Sequence, residues 1–237
     1  IDRYITLSPQ MQDVINSSGI GEVAQYLNHG VLIQNFKSQL NKVSEQITLV
    51  FLGRLVTSKG CLELIEIDNA LKRSNYDVFW KIIGTGLLES EVKKQWINNI
   101  NVEFLKPLDS SEVANCLSDA DILVLPSVFE GYGIAILEAM SLGVVPAVYR
   151  LPTGITNELD NSNSIISNTT NIQDLAQLLI ETIEDPIKLK NLNFNHLRYF
   201  LEHQLDLLKK QILFVPNFKL FCRCFIRIFF IFILKPE

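Results

Sequence analysis

The chain has 237 residues, 48% of them apolar, with 21 Lys and Arg against 26 Asp and Glu, a net charge of −5. That length holds one large domain or one domain with appendages, and the composition is that of a globular body with a core. The slightly acidic balance argues against broad nucleic-acid binding. The four cysteines, at 61, 116, 222 and 224, show no C-x2-C metal spacing and read as ordinary thiols of a reducing compartment, which makes a cytoplasmic location the expectation.

In chain order, Tyr4 to Leu7 reads as a short strand and Pro9 to Ser18 as a helix. Val31 to Ile33 is weakly strand-like, and the polar Lys37 to Gln46 reads as a linker. One unit then repeats. Strand Ile47–Leu52 leads to helix Gly60–Ser74, strand Val78–Ile83 to helix Leu87–Asn99, and strand Val102–Leu105 to helix Ser110–Ser118. Strand Ile122–Leu125 leads to helix Gly133–Leu142, followed by strands Val144–Val148 and Ser164–Ser167 and helices Ile172–Glu184 and Ile187–Lys210. Alternating strands and helices with short loops predict an α/β fold with a doubly wound parallel sheet. Ligands of such sheets sit beyond the C-terminal strand ends.

The stretch Ile122 to Tyr149, ILVLPSVFEGYGIAILEAMSLGVVPAVY, carries only two charges, Glu130 and Glu138. Glu138 falls in a helix that is apolar nearly all round, and a lone buried carboxylate is costly unless something hydrogen-bonds it. A backbone amide or an Arg could satisfy it, or a ligand could. Residue 138 lies roughly 7–8 Å along the helix axis from Gly133, and its side chain leans back toward the helix start. A diphosphate held by the free N–H groups there would bring a ribose within its reach. Gly131 and Gly133 allow the backbone to approach a ligand closely, and Glu130 would face that ligand's far end.

Glu130 and Glu138 form E-x7-E within PSVFEGYGIAILEAMSLG. This resembles the donor-site signature of retaining GT-B glycosyltransferases, specifically glycosyltransferase family 4. After the first strand of the repeat comes GRLVTSKG, Gly53 to Gly60. Arg54 and Lys59 flank the strand end, where two cations could neutralise a diphosphate, and the family has an Arg and a Lys at this spacing on the donor phosphates. Gly84-Thr85-Gly86 is weak evidence alone, but the family has a similar turn bordering the donor. Phe104-Leu105-Lys106-Pro107 resembles the loop that cradles the nucleotide base through backbone groups. By the same resemblance Gly131, Tyr132, Gly133 and Ile134 border the donor, Glu130 holds sugar hydroxyls and Glu138 the ribose diol. After the Val144 strand the family has a Gly-Gly pair and a Glu where this chain has Pro152-Thr153-Gly154-Ile155-Thr156-Asn157-Glu158, so the loop beside the sugar is expected to differ.

Asp119-Ala120-Asp121 mimics a metal-binding D-x-D, but it joins a helix end to a strand start, where capping and solvation explain it. No metal and no cofactor are expected. The three histidines, 29, 196 and 203, lack a ligand pattern, and each is expected at the surface.

The resemblance implies the C-terminal half of a GT-B fold: residues 1–46 ending an N-terminal acceptor domain, 47–210 forming a Rossmann-like nucleotide-sugar-binding domain, and 211–237 a tail. It implies transfer of a sugar from a nucleotide-diphosphate donor to a glycan or lipid-linked acceptor, with the leaving phosphate as base. The alternative is a non-catalytic or half-enzyme module that binds nucleotide sugar and needs a partner domain. The chain opens without a signal peptide or Met, as mid-domain sequence does, so a fragment is expected. From Lys209 the tail carries six Lys and Arg and one acid, with Lys219, Arg223 and Arg227 on one helical face and phenylalanines elsewhere. That pattern fits a helix lying on an anionic membrane surface. A helix packed on another domain and a non-native C-terminus are the other readings.

Overall fold

Every apolar run of the repeat becomes a strand of one sheet. The computed structural model describes residues 4–6, 9–19, 24–26, 46–152, 154–157 and 159–214. Two short strands, β1 (Tyr4–Thr6) and β2 (Ala24–Tyr26), pair in parallel, with helix α1 (Pro9–Ser17) between them in sequence. The main sheet contains β3 (Thr48–Leu52), β4 (Phe79–Ile83), β5 (Val102–Leu105), β6 (Ile122–Leu125), β7 (Val145–Tyr149) and β8 (Ile165–Ser167). Its order is β5-β4-β3-β6-β7-β8 and every pairing is parallel. The helices are α2 (Leu64–Arg73), α3 (Glu89–Gln95), α4 (Ser110–Ser118), α5 (Ile134–Ser141), α6 (Ile172–Ile183) and α7 (Pro186–Phe214). This is the doubly wound, Rossmann-like sheet expected from the alternation of elements.

Central strands covered on both faces must be apolar at every position. All four residues of β6 and all five of β7 are buried. Helix α2 shows the complementary pattern, burying Leu64, Ile67 and Leu71 on one stripe. Asp109 and Glu112 form a reciprocal capping box that starts α4.

Several expectations need correction. The helix read from Gly60 begins at Leu64; before it, Thr57–Lys59 form a 3-10 turn closed by Gly60 at φ +67°. A Cβ at Gly60 would lie 2.2 Å from the carbonyl oxygen of Pro126, so a left-handed turn pressed against β6 stops the helix from starting early. Cys61 consequently sits in a turn rather than a helix, buried, with its thiol pushed up to about 11 chiefly by burial. The helix read over Leu87–Asn99 is regular only over Glu89–Gln95. Strand β2 was not read from the sequence at all. Val31–Ile33, all of the linker but Gln46, and the tail from residue 215 on lie outside the described residues. Helix α7 runs on to Phe214, through the boundary read at residue 210. No helix among the described residues is long and apolar enough to cross a membrane.

Gly84 holds φ +145°, and a Cβ there would stand 1.9 Å from the Gly53 carbonyl oxygen. Gly84→Ala should lower unfolding stability by about 2–4 kcal/mol through backbone strain and overpacking, measurable as a reduced urea midpoint at unchanged m-value.

Candidate functional site

Strands β3, β4 and β5 step outward in one direction and β6, β7 and β8 in the other, so the order reverses between β3 and β6. The connections leaving those two strands part, and a crevice opens at their C-terminal ends. A cavity of about 340 Å3 lies there. Leu52, Gly53 and Lys59 line it from the β3 side, and Leu125, Glu130 and residues 131–135 from the β6 side.

The β6 side ends in a helix start that lacks a cap. Gly133 is the N-cap residue of α5 at φ +93° and, having no side chain, caps none of the leading amides. The first internal bond recorded there runs from the Ile136 amide to the Gly133 carbonyl, while Ile134 and Ala135 face the cavity. Free amides and the positive end of the helix dipole make such a terminus an anion site.

Opposite it, Lys59 Nζ lies 2.6 Å from Glu130 Oε1, with the lysine side chain 17% and the glutamate 8% exposed. The sequence reading gave these residues separate partners, phosphate and sugar; the structure joins them across the cavity. The lysine's placement also differs from the expected helix start. It ends a 3-10 turn, so the carboxylate of Glu130, rather than a helix terminus, accounts for the local charge. Gly53 lines the same wall, whereas Arg54 is exposed and does not line the cavity.

Glu138 is one turn further along α5, three and four residues from the cavity-lining Ala135 and Ile134, and therefore on the same helix face. It is half-buried, and burial raises its carboxyl above the usual carboxylate range. Gly131 is exposed with open space around it. Gly84 and Gly86 line no part of the cavity. They pack on the loop after β3, where a Cβ on Gly86 would lie 2.3 Å from the Leu55 carbonyl, and the Leu55 amide donates to Thr85 at 2.8 Å. Their conformation is fixed by that contact. Leu105 and Lys106 likewise stand outside the cavity, and the Leu105 carbonyl accepts from Gly84 at 3.3 Å.

Asp119 stands where capping and solvation put it, but Asp121 does not. Asp119 caps α4 and approaches Lys81 at 3.6 Å, while the Asp121 carboxylate accepts the Thr48 amide at 2.7 Å. No metal-binding cluster of His, Cys, Asp or Glu is present among the described residues. The expectation for His203 is overturned: it is 6% exposed, and its Nε2 lies 3.2 Å from the hydroxyl of Tyr132. Its position was legible in retrospect, since Leu192, Tyr199 and His203 follow a helical stripe of i, i+7 and i+11 whose first residue is buried.

A doubly wound sheet with a glycine-led helix start and a largely buried Lys–Glu pair at its switch point defines a Rossmann-like unit. The model of the family described as glycosyl transferases group 1 matches residues 32–196. The chain belongs to that family. It is 30% identical over 144 residues to a GDP-mannose-dependent monoacylated alpha-(1-6)-phosphatidylinositol monomannoside mannosyltransferase of Corynebacterium glutamicum, covering 57% of this chain and 38% of that protein. Among solved structures it resembles Staphylococcus aureus TarM bound to fondaparinux, alpha-GlcNAc-glycerol and UDP (TM-score 0.72, 21% identity, 87% of this chain and 44% of that one). It also resembles Anabaena HepE with UDP and glucose (TM-score 0.68, 21% identity, 85% and 59%). The sheet is thus that of the GT-B glycosyltransferases. The chain spans 38–54% of the length of the first curated relatives it matches.

Because burial raises the Glu138 carboxyl, the folded chain keeps that proton to higher pH than the unfolded chain does. Its contribution to stability is greatest below the ordinary carboxylate range and falls as pH rises through the raised value. Glu138→Gln, free of ligand, should therefore melt higher than the parent chain at pH 7, and the difference should vanish near about pH 4; thermal denaturation at the two pH values measures this.

Proposed function

We propose that this chain is the donor-binding part of a retaining glycosyltransferase of family 4, which moves a sugar from a nucleotide-diphosphate donor to a glycan or lipid-linked acceptor. The observation that carries the reading is the uncapped α5 terminus at the sheet's switch point, with Lys59 and Glu130 across the cavity and Glu138 one turn along the same helix.

In this reading the diphosphate sits on the amides before and within the first turn of α5, from Gly131 to Ile134. Lys59 turns from Glu130 to the phosphates, and Arg54 folds over them from the rim. Together they stabilise the charge that develops as the bond from the sugar's anomeric carbon to the phosphate oxygen breaks. The acceptor hydroxyl bonds to that carbon from the same face and passes its proton to the departing phosphate. Glu130, released from Lys59, holds sugar hydroxyls. Glu138 takes the ribose diol, which answers the cost of its burial. The turn at Gly84 and Gly86 and the loop at Leu105 and Lys106 border the base. Two cations suffice to offset the diphosphate, so we propose a reaction without metal or cofactor. The protein would work in the cytoplasm, with the segment from residue 215 on as its contact with the membrane face.

Calorimetric titration of the chain with UDP, GDP and ADP tests this. One nucleotide should bind, and Glu138→Ala should weaken it about tenfold or more, about 1.4 kcal/mol. No binding of any of the three by a folded sample would overturn the donor-site assignment.

A further inference from the structure

Helix α7 does more than cover the sheet. Asn193 Nδ2 donates to the Gly143 carbonyl at 2.7 Å, just past the C-terminal end of α5. His203 meets the Tyr132 hydroxyl just before the N-terminal end of α5. Ten residues of α7 span about 15 Å at 1.5 Å per residue. The eight residues of α5 span about 12 Å, and the flanking Tyr132 and Gly143 make up the difference. The two helices therefore lie antiparallel, tied by a polar contact at each end.

The contact at the N-terminal end is buried on both sides, with Tyr132 4% and His203 6% exposed, and the Tyr199 ring stacks on His203 at 6.0 Å. Tyr132 also fixes the loop after β7, because its carbonyl accepts from the Ile155 amide at 2.8 Å. Gly154 holds φ +68° against that same carbonyl, where a Cβ would come within 2.5 Å. Gly131, Tyr132 and Gly133 all line the cavity. A shift of Tyr132 would thus move the cavity wall, the start of α5 and the loop after β7 together.

We infer that His203 is a positioning residue for the candidate donor site, acting through the Tyr132 hydroxyl to hold the Gly131–Gly133 backbone against a diphosphate. His203 lies beyond residues 32–196, the segment that matches the family model. The inference rests on the donor-site reading, and it adds that α7 sets the affinity of that site. The bond survives in either tautomer, since the hydroxyl can donate to the ring nitrogen or accept from it.

The test uses the full chain titrated calorimetrically with UDP, GDP and ADP, with thermal unfolding measured in parallel. Tyr132→Phe keeps the ring and removes only the hydroxyl. It should weaken the nucleotide that binds about tenfold, His203→Phe should do the same, and the double variant should be no weaker than either single one. His203→Gln, whose amide can still reach the hydroxyl, should restore binding to within about threefold of the parent. Variants that melt lower yet bind with parental affinity would reduce the pair to packing and overturn the inference while leaving the donor site standing. Additive losses in the double variant would overturn it equally. A parent chain that binds none of the three nucleotides would remove the donor-site reading and this inference with it.

Discussion

Asp121 grips Thr48 twice: its amide donates to the Thr48 carbonyl at 2.8 Å, and its carboxylate accepts the Thr48 amide at 2.7 Å. That closed pair sets the start of β6 beside the start of β3, where the chain returns to the sheet's centre after building β4 and β5. Its backbone carbonyl also accepts the Val145 amide, which places β7 next. The crevice between the ends of β3 and β6 exists because these two strands, far apart in sequence, are forced to be neighbours. Every residue lining the cavity follows or ends one of the two. The Asp-Ala-Asp sequence that imitates a metal motif is in this way an alignment device for the sheet.

Within that crevice Lys59 and Glu130 offset each other's charge. Lys59 and Glu130 pair in a largely buried setting, where either alone would be costly. An anionic ligand that takes the lysine must leave the glutamate another partner, and a sugar hydroxyl at the far end of the same molecule would supply one. On the proposed donor reading, the pair suits a molecule with both an anionic and a hydroxyl-bearing end.

The sheet was legible in the sequence because buried parallel strands leave continuous apolar runs, and β5, β6 and helix α4 fall where the alternation of elements puts them. The E-x7-E segment was legible for the same reason: two carboxylates stand out against an apolar background. What escaped were contacts between distant segments. Gly60 shows only as a glycine until Pro126 is placed against it, so the helix start was read four residues early. Gly84 and Gly86 carry a pattern that suits a ligand turn, yet the loop after β3 occupies the space beside them. His203 looked solitary because its partner is 71 residues away. Strand β2 is three residues long and has no apolar run to mark it.

Helix α5 has eight residues and no side-chain cap. A segment that short does not hold helical form alone in water, so its shape is lent by the sheet beneath and α7 across it. Its amides cannot fray independently of those neighbours. The helix then belongs to the same cooperative unit as the sheet, and hydrogen exchange at its bonded amides, from Ile136 on, would track unfolding of that unit rather than local motion. In many proteins the segment proposed to hold a ligand is the loosest piece; here it is tied to the core, and the exposed side chains near it are Arg54 and, on the loop leading to Glu130, Val128 and Phe129, 53% and 67% exposed.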